Sequence, residues 1–123
     1  MRKGLVTLAF SALVLVFATN VVRAYQEQGH REVVVKFFDE VWNKGNVAYV
    51  DQVMAPDIMR YGHTNEGTTS GIQAYKDLVN RIRSEFTDYE ITLIDQMGVG
   101  NKSTVKWNLK GNYVGPNKQF APG

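Results

Sequence analysis

The chain has 123 residues, 44% hydrophobic and 21% charged, with a formal net charge of +2. These ordinary values exclude a disordered or fibrous protein and make one folded domain the expectation. Three of the fourteen basic residues, Arg2, Lys3 and Arg23, lie in the first 24 positions without an acid, leaving eleven bases against twelve acids. No basic stripe remains to track a phosphate backbone, so nucleic acid is not an expected partner.

Met1-Arg2-Lys3 precedes an apolar run from Leu5 to Ala18, a polar break at Thr19-Asn20 and the small-residue ending Val22-Arg23-Ala24. That is the layout of a secretory signal cleaved after Ala24, and it predicts a secreted or periplasmic protein free of the membrane once the signal is removed. The competing reading is an uncleaved anchor, but the run falls short of the roughly 20 apolar residues that cross a bilayer comfortably. The folding unit is then residues 25–123, about enough for a single core.

From Gln26 to Asn43, apolar side chains at Val33, Val34, Phe37, Phe38, Val41 and Trp42 recur at helical spacing. Asn43-Lys44-Gly45-Asn46 ends this helix with a glycine suited to left-handed geometry and an asparagine able to cap the next. The second helix, Val47 to Met54, stops before Pro56. Ile58 to His63 reads as a strand and Thr64 to Ser70 as a polar loop. A third helix runs from Ser70 or Gly71 to about Glu85, with Ile72, Tyr75, Leu78, Val79 and Ile82 on one stripe and Lys76, Asp77, Asn80, Arg81 and Arg83 facing water. Tyr89 to Val99 alternates as a strand, Gly98 to Lys102 reverses the chain, and Thr104 to Val114 returns antiparallel. Helices followed by strands indicate an α+β domain.

The run Phe37-Phe38-Asp39-Glu40-Val41-Trp42-Asn43-Lys44-Gly45-Asn46 resembles the opening of the SnoaL-like polyketide cyclases of the nuclear-transport-factor-2-like superfamily. Ala55-Pro56-Asp57, Gly71 and Val105-Lys106-Trp107-Asn108-Leu109-Lys110-Gly111 follow in the expected order. The resemblance implies a cone-like fold, three helices on a strongly curved antiparallel sheet around a pocket. It also implies a homodimer binding a small hydrophobic molecule, and, in catalytic members, acid/base chemistry on a carbonyl compound without metal or organic cofactor.

The chain departs from that pattern in three places. A histidine often found four positions after Pro-Asp is here Tyr61, with His63 two residues on. The later strand has Lys106-Trp107 and Asn112-Tyr113 where relatives often show Arg-Trp and Thr-His. The chain ends at Phe120-Ala121-Pro122-Gly123, before the final strands and their acidic residue, so missing C-terminal strands, a fragment or a non-catalytic binding or dimerisation module are all expectations.

Two residues are candidates for acid/base work. His63 has the titration range of a general base, and the alternative is a loop histidine at a strand end. Asp95, alternating with Ile91, Leu93 and Met97, would be a desolvated carboxylate, and the alternative is a bulge that turns it to solvent. Phe38, Tyr61 and Trp107 are candidates for an aromatic pocket wall or ordinary core, and Trp42 for core. Tyr113 is a candidate hydroxyl donor to a substrate carbonyl, or a half-buried edge-strand tyrosine. With no cysteines, and with His30 and His63 in different elements lacking a carboxylate at metal-site spacing, no disulfide, metal or cofactor site is expected.

Overall fold

A computed structural model describes residues 28–62 and 67–116. The signal-like segment and His63 lie outside the described residues. Residues 28–37 form a helix, α1, that continues as a wide π-type turn over Phe38–Asn43. The start of α1 stands clear of the core, with Val33 and Val35 exposed, and packing begins at Phe37 and Phe38. The wide turn sets Val41, Trp42 and Asn43 successively against the rest of the domain, where a period of 3.6 would swing one of the three away. The chain leaves it through Gly45 at φ +72°, the left-handed geometry expected there.

A 3₁₀ turn, Val47–Tyr49, leads into a short helix, α2, Val50–Val53. Asn46 does not cap it with its side chain. Its main-chain N–H bonds to the Glu40 carbonyl at 2.8 Å, and its side-chain amide donates to Glu40 Oε2 at 3.1 Å, tying the turn back to the first helix. Met54, which follows the last turn of α2, is extended, so the helix stops two residues before Pro56.

Strand β1, Met59–Tyr61, pairs antiparallel with β2, Thr68–Ser70. The segment Thr68-Thr69-Ser70 was expected to be loop. Its residues are polar and give no apolar alternation, yet threonine's branched β-carbon suits a strand and the β1 partner supplies the ladder. Gly71, at φ +84°, then opens α3, Ile72–Ser84, which buries Tyr75, Leu78 and Val79.

Two α3 residues expected to face water do not. Lys76 donates to Asp51 at 2.7 Å with its side chain only 17% exposed. Arg83 folds back on the first helix, where its guanidinium donates to the carbonyls of Trp42 and of Asn43, the latter at 2.8 Å. Those carbonyls belong to the last helical turn and have no partner within it, so a cation from a neighbouring helix does the capping.

Strand β3, Phe86–Val99, turns at Gly100-Asn101 and returns as β4, Lys102–Tyr113. The hairpin register is interrupted between Thr87 and Glu90 and again between Leu93 and Asp95. The domain is therefore α+β, and the described residues hold three helices and two antiparallel two-stranded sheets. Val41, Val50 and Val79 are fully buried at its centre, joined by Trp42, Tyr49, Tyr75 and Ile91. Among the described residues no helix is long and apolar enough to cross a membrane.

Candidate functional site

The side of the β3–β4 hairpin that meets the helices is fixed by Ile91, which is buried, and by Leu93, which packs against the same core. Residues directly opposite in an antiparallel ladder share a face. Leu109 opposite Ile91 and Trp107 opposite Leu93 therefore lie on this inner face. The helices cover its β3 side and leave much of its β4 side open, for Leu109 remains 38% and Trp107 48% exposed. The result is an apolar shelf beside the core, of the kind that marks a binding surface.

At the hairpin tip the shelf ends in a polar group. Gln96, opposite Val105, donates from Nε2 to Ser103 Oγ at 3.1 Å, while its Oε1 is buried without a hydrogen-bond partner. An unpaired buried acceptor is costly, and a side-chain rotation that turned it to the shelf would let it accept from a ligand hydroxyl or amide.

Asp95 is not on the shelf. Of the two placements weighed for it, the structure has the bulge: Ile94 is the extra residue between the Leu93–Trp107 and Asp95–Lys106 pairs, which shifts the alternation by one. Asp95 is exposed opposite Lys106, and its Oδ1 accepts the Gln96 N–H at 2.8 Å. Met97 moves to the outer face with it and is exposed.

The other candidates are dispersed. Phe38 packs against the core, its ring centroid 5.6 Å from that of Phe37. Tyr61 is 77% exposed, and it is Arg60, between outward-facing Met59 and Tyr61, whose charge bears on Tyr75. Tyr113 sits at the base of the hairpin with its ring 5.2 Å from Phe86. Six residues of strand separate it from Trp107, roughly 20 Å. Trp42 is core, its ring centroid 6.3 Å from Tyr75 and 6.4 Å from Tyr89.

The helix side of the core is rich in tyrosine. Burial pushes the Tyr75 phenol above its usual range, opposed by its hydrogen bond with Trp42 and by the Arg60 charge. Burial likewise pushes Tyr89 up to about 12, opposed by Arg83, whose guanidinium lies 5.3 Å from the ring centre. Tyr89 stays neutral in the fold while an unfolded chain ionises it near pH 10. Its contribution is thus complete below pH 10 and is lost as pH rises to about 12, a fall of no more than about 3 kcal/mol. In alkaline urea titrations Tyr89→Phe is expected to flatten that fall, with Tyr75 supplying the slope that remains. An unchanged slope would contradict the assignment.

Sequence reasoning missed Asn43 and Arg83 as architectural residues. The Asn43 side chain accepts the Ile91 N–H at 2.7 Å and donates to the Ile91 carbonyl at 2.9 Å. It acts as a one-residue substitute for a neighbouring strand and anchors the hairpin to the wide turn. Nothing in the spacing signals this, because Asn43 and Ile91 are far apart in sequence.

Compared with known proteins, the chain matches a family model described as SnoaL-like polyketide cyclase over residues 32–122. No curated protein and no solved structure matches it.

Proposed function

Because this chain belongs to the SnoaL-like polyketide cyclase family, we propose that it is an exported small-molecule-binding domain, whose ligand is a hydrophobic carbonyl compound lying on the inner face of the β3–β4 hairpin. The observation that carries this reading is Trp107, half exposed on the same face as the buried Ile91. A planar apolar ligand stacked there would remove indole and Leu109 surface from water, and Gln96 Oε1 would accept a hydrogen bond from a ligand hydroxyl. A homodimer with a curved sheet closing around the ligand completes the reading.

In its catalytic form, the reaction is proton transfer at the carbon next to a carbonyl, as in an aldol cyclisation or isomerisation, with no cofactor. His63 is the proposed base, because neutral imidazole takes a proton near pH 7 and returns it. Asp95, exposed on the outer face, favours the second reading, a binding module without catalysis.

Equilibrium dialysis with 2-acetylnaphthalene as probe tests the binding site: Trp107→Ala is expected to weaken binding at least tenfold, and unchanged affinity would sink the assignment. Exchange of the probe's methyl protons in deuterated water, followed by NMR, separates the two forms. Catalysis predicts exchange above background that His63→Gln abolishes while binding persists; background exchange alone leaves the binding module.

A further inference from the structure

A glycine inside a strand weakens it, because it gives up more backbone freedom on folding than any other residue and has no side chain to pack. The physical reasons to hold one there are a bulge, a left-handed backbone, a neighbour too close for a Cβ, or a ligand that approaches its face. In the β3–β4 hairpin Gly100 has the left-handed backbone, at φ +60°. A Cβ on Gly111 would come within 3.2 Å of the Phe86 ring and 3.3 Å of the Thr87 carbonyl oxygen. Gly98 has none of the first three reasons. It lies within β3 in regular register with Ser103, clear of both irregularities, and its φ is outside the left-handed region. The nearest described atom to a Cβ there is the Lys102 carbonyl oxygen, at an ordinary contact distance of 3.6 Å. The fold has room for a side chain at Gly98, and the sequence puts none in it.

Gly98 continues the inner face on which the shelf lies. Trp107, Val105 and Ser103 alternate along β4, with Leu93, Gln96 and Gly98 directly opposite them. Past Gln96 the shelf therefore runs onto a floor without a side chain, bounded by Ser103. Four residues of strand separate Ser103 from Trp107, roughly 13 Å. Ser103 Oγ accepts from Gln96 Nε2 at 3.1 Å, and its own O–H reaches the Met97 carbonyl at a long 3.4 Å. A nearer acceptor would draw that O–H away.

We propose that Gly98 sets the length of the ligand: its bare floor admits a molecule that stacks an apolar part on Trp107 and lays a polar arm across Gly98 to Ser103. The ligand is then an elongated carbonyl compound with an oxygen-bearing arm on the side remote from its carbonyl. This inference rests on the ligand site proposed above and deepens it, because a short planar compound over Trp107 and Leu109 has no use for the floor. A side chain at Gly98 would close the floor and leave the Trp107 end of the shelf as it is.

Equilibrium dialysis of 2-acetylnaphthalene and of its 6-(2-hydroxyethoxy) derivative tests the floor. Gly98→Val is expected to weaken binding of the derivative roughly tenfold or more and to leave binding of 2-acetylnaphthalene unchanged. Ser103→Ala is expected to weaken the derivative alone, by about fivefold, the loss of one hydrogen bond. Thermal unfolding of Gly98→Val is expected at a higher midpoint than the parent chain, since valine suits a strand and glycine does not. A lowered midpoint would mean that the fold itself needs the glycine. Equal losses for the two compounds, or no loss for the derivative, would mean that the floor takes no part in choosing between them. Any of these results overturns the proposal. Trp107→Ala keeps the two proposals apart: if 2-acetylnaphthalene binds that variant undiminished, the shelf falls and the role of Gly98 with it. If that variant loses the compound while the derivative is indifferent to Gly98→Val, the role of Gly98 alone falls.

Discussion

Asn43→Ala is expected to cost about 2 to 4 kcal/mol of folding stability. The change strands the N–H and C=O of Ile91, which the Asn43 side chain holds at 2.7 and 2.9 Å in a part-buried setting. A part-buried main-chain group that loses its partner forfeits about 1 to 3 kcal/mol, and here two lose theirs together. The anchor between the wide turn and β3 goes with them, so the hairpin carrying the shelf should exchange its amide protons faster than the helices do. Asn43→Asp sharpens the test. A carboxylate still accepts from the Ile91 N–H but turns lone pairs toward the Ile91 carbonyl, whereas a protonated carboxyl can donate to it. The folded state therefore raises the pKa of the new acid, and the recovered stability is present below about pH 4 and lost as pH rises through the raised value. Urea unfolding from pH 3 to 7 measures this. A flat difference between Asn43→Asp and the parent chain would mean that the donation to the Ile91 carbonyl carries no weight.

The two tryptophans should respond to truncation with losses of very different size. Trp42 is 9% exposed between Tyr75 and Tyr89, beside the fully buried Val41, and Trp42→Ala is expected to cost about 3 to 5 kcal/mol in denaturant unfolding. That is comparable with the whole stability of a small domain, so the variant should be largely unfolded at 37 °C. Trp107 is 48% exposed with its ring on the open half of the sheet, and Trp107→Ala should cost about 1 kcal/mol or less. Equal losses at the two positions would mean that Trp107 is core, and the shelf would then be an artefact of its exposure alone.

Much of the scaffold is legible in the residues because the physical signals are local. The inward stripe of Tyr75, Leu78 and Val79 follows from helical spacing, and the reversal at Gly100-Asn101 from turn chemistry, with Gly100 at φ +60°. The site is less legible, for reasons that can be named. A strand of three residues such as Met59–Tyr61 has too few positions to say which face is buried, and it is Arg60 that turns inward and Tyr61 that turns out. A bulge is a count of residues on two strands, so the shift of Asp95 and Met97 to the outer face by Ile94 appears only once Leu93 is known to face Trp107 and Asp95 to face Lys106. Arg83 reads as a solvated charge by its place on α3, and its role appears only when the carbonyls of Trp42 and Asn43 come within reach. Asp88, at φ +53° in the first irregularity of β3, bonds to Asn112 across the hairpin, a second case where the partner strand decides the local geometry.

Emission from Trp107 in the Trp42→Phe protein, which leaves a single tryptophan, reads the shelf directly. Titration with 2-acetylnaphthalene is expected to move or quench that emission saturably, with the same midpoint as dialysis. Probe that binds to saturation while Trp107 emission stays where it began would place the ligand elsewhere and contradict the account.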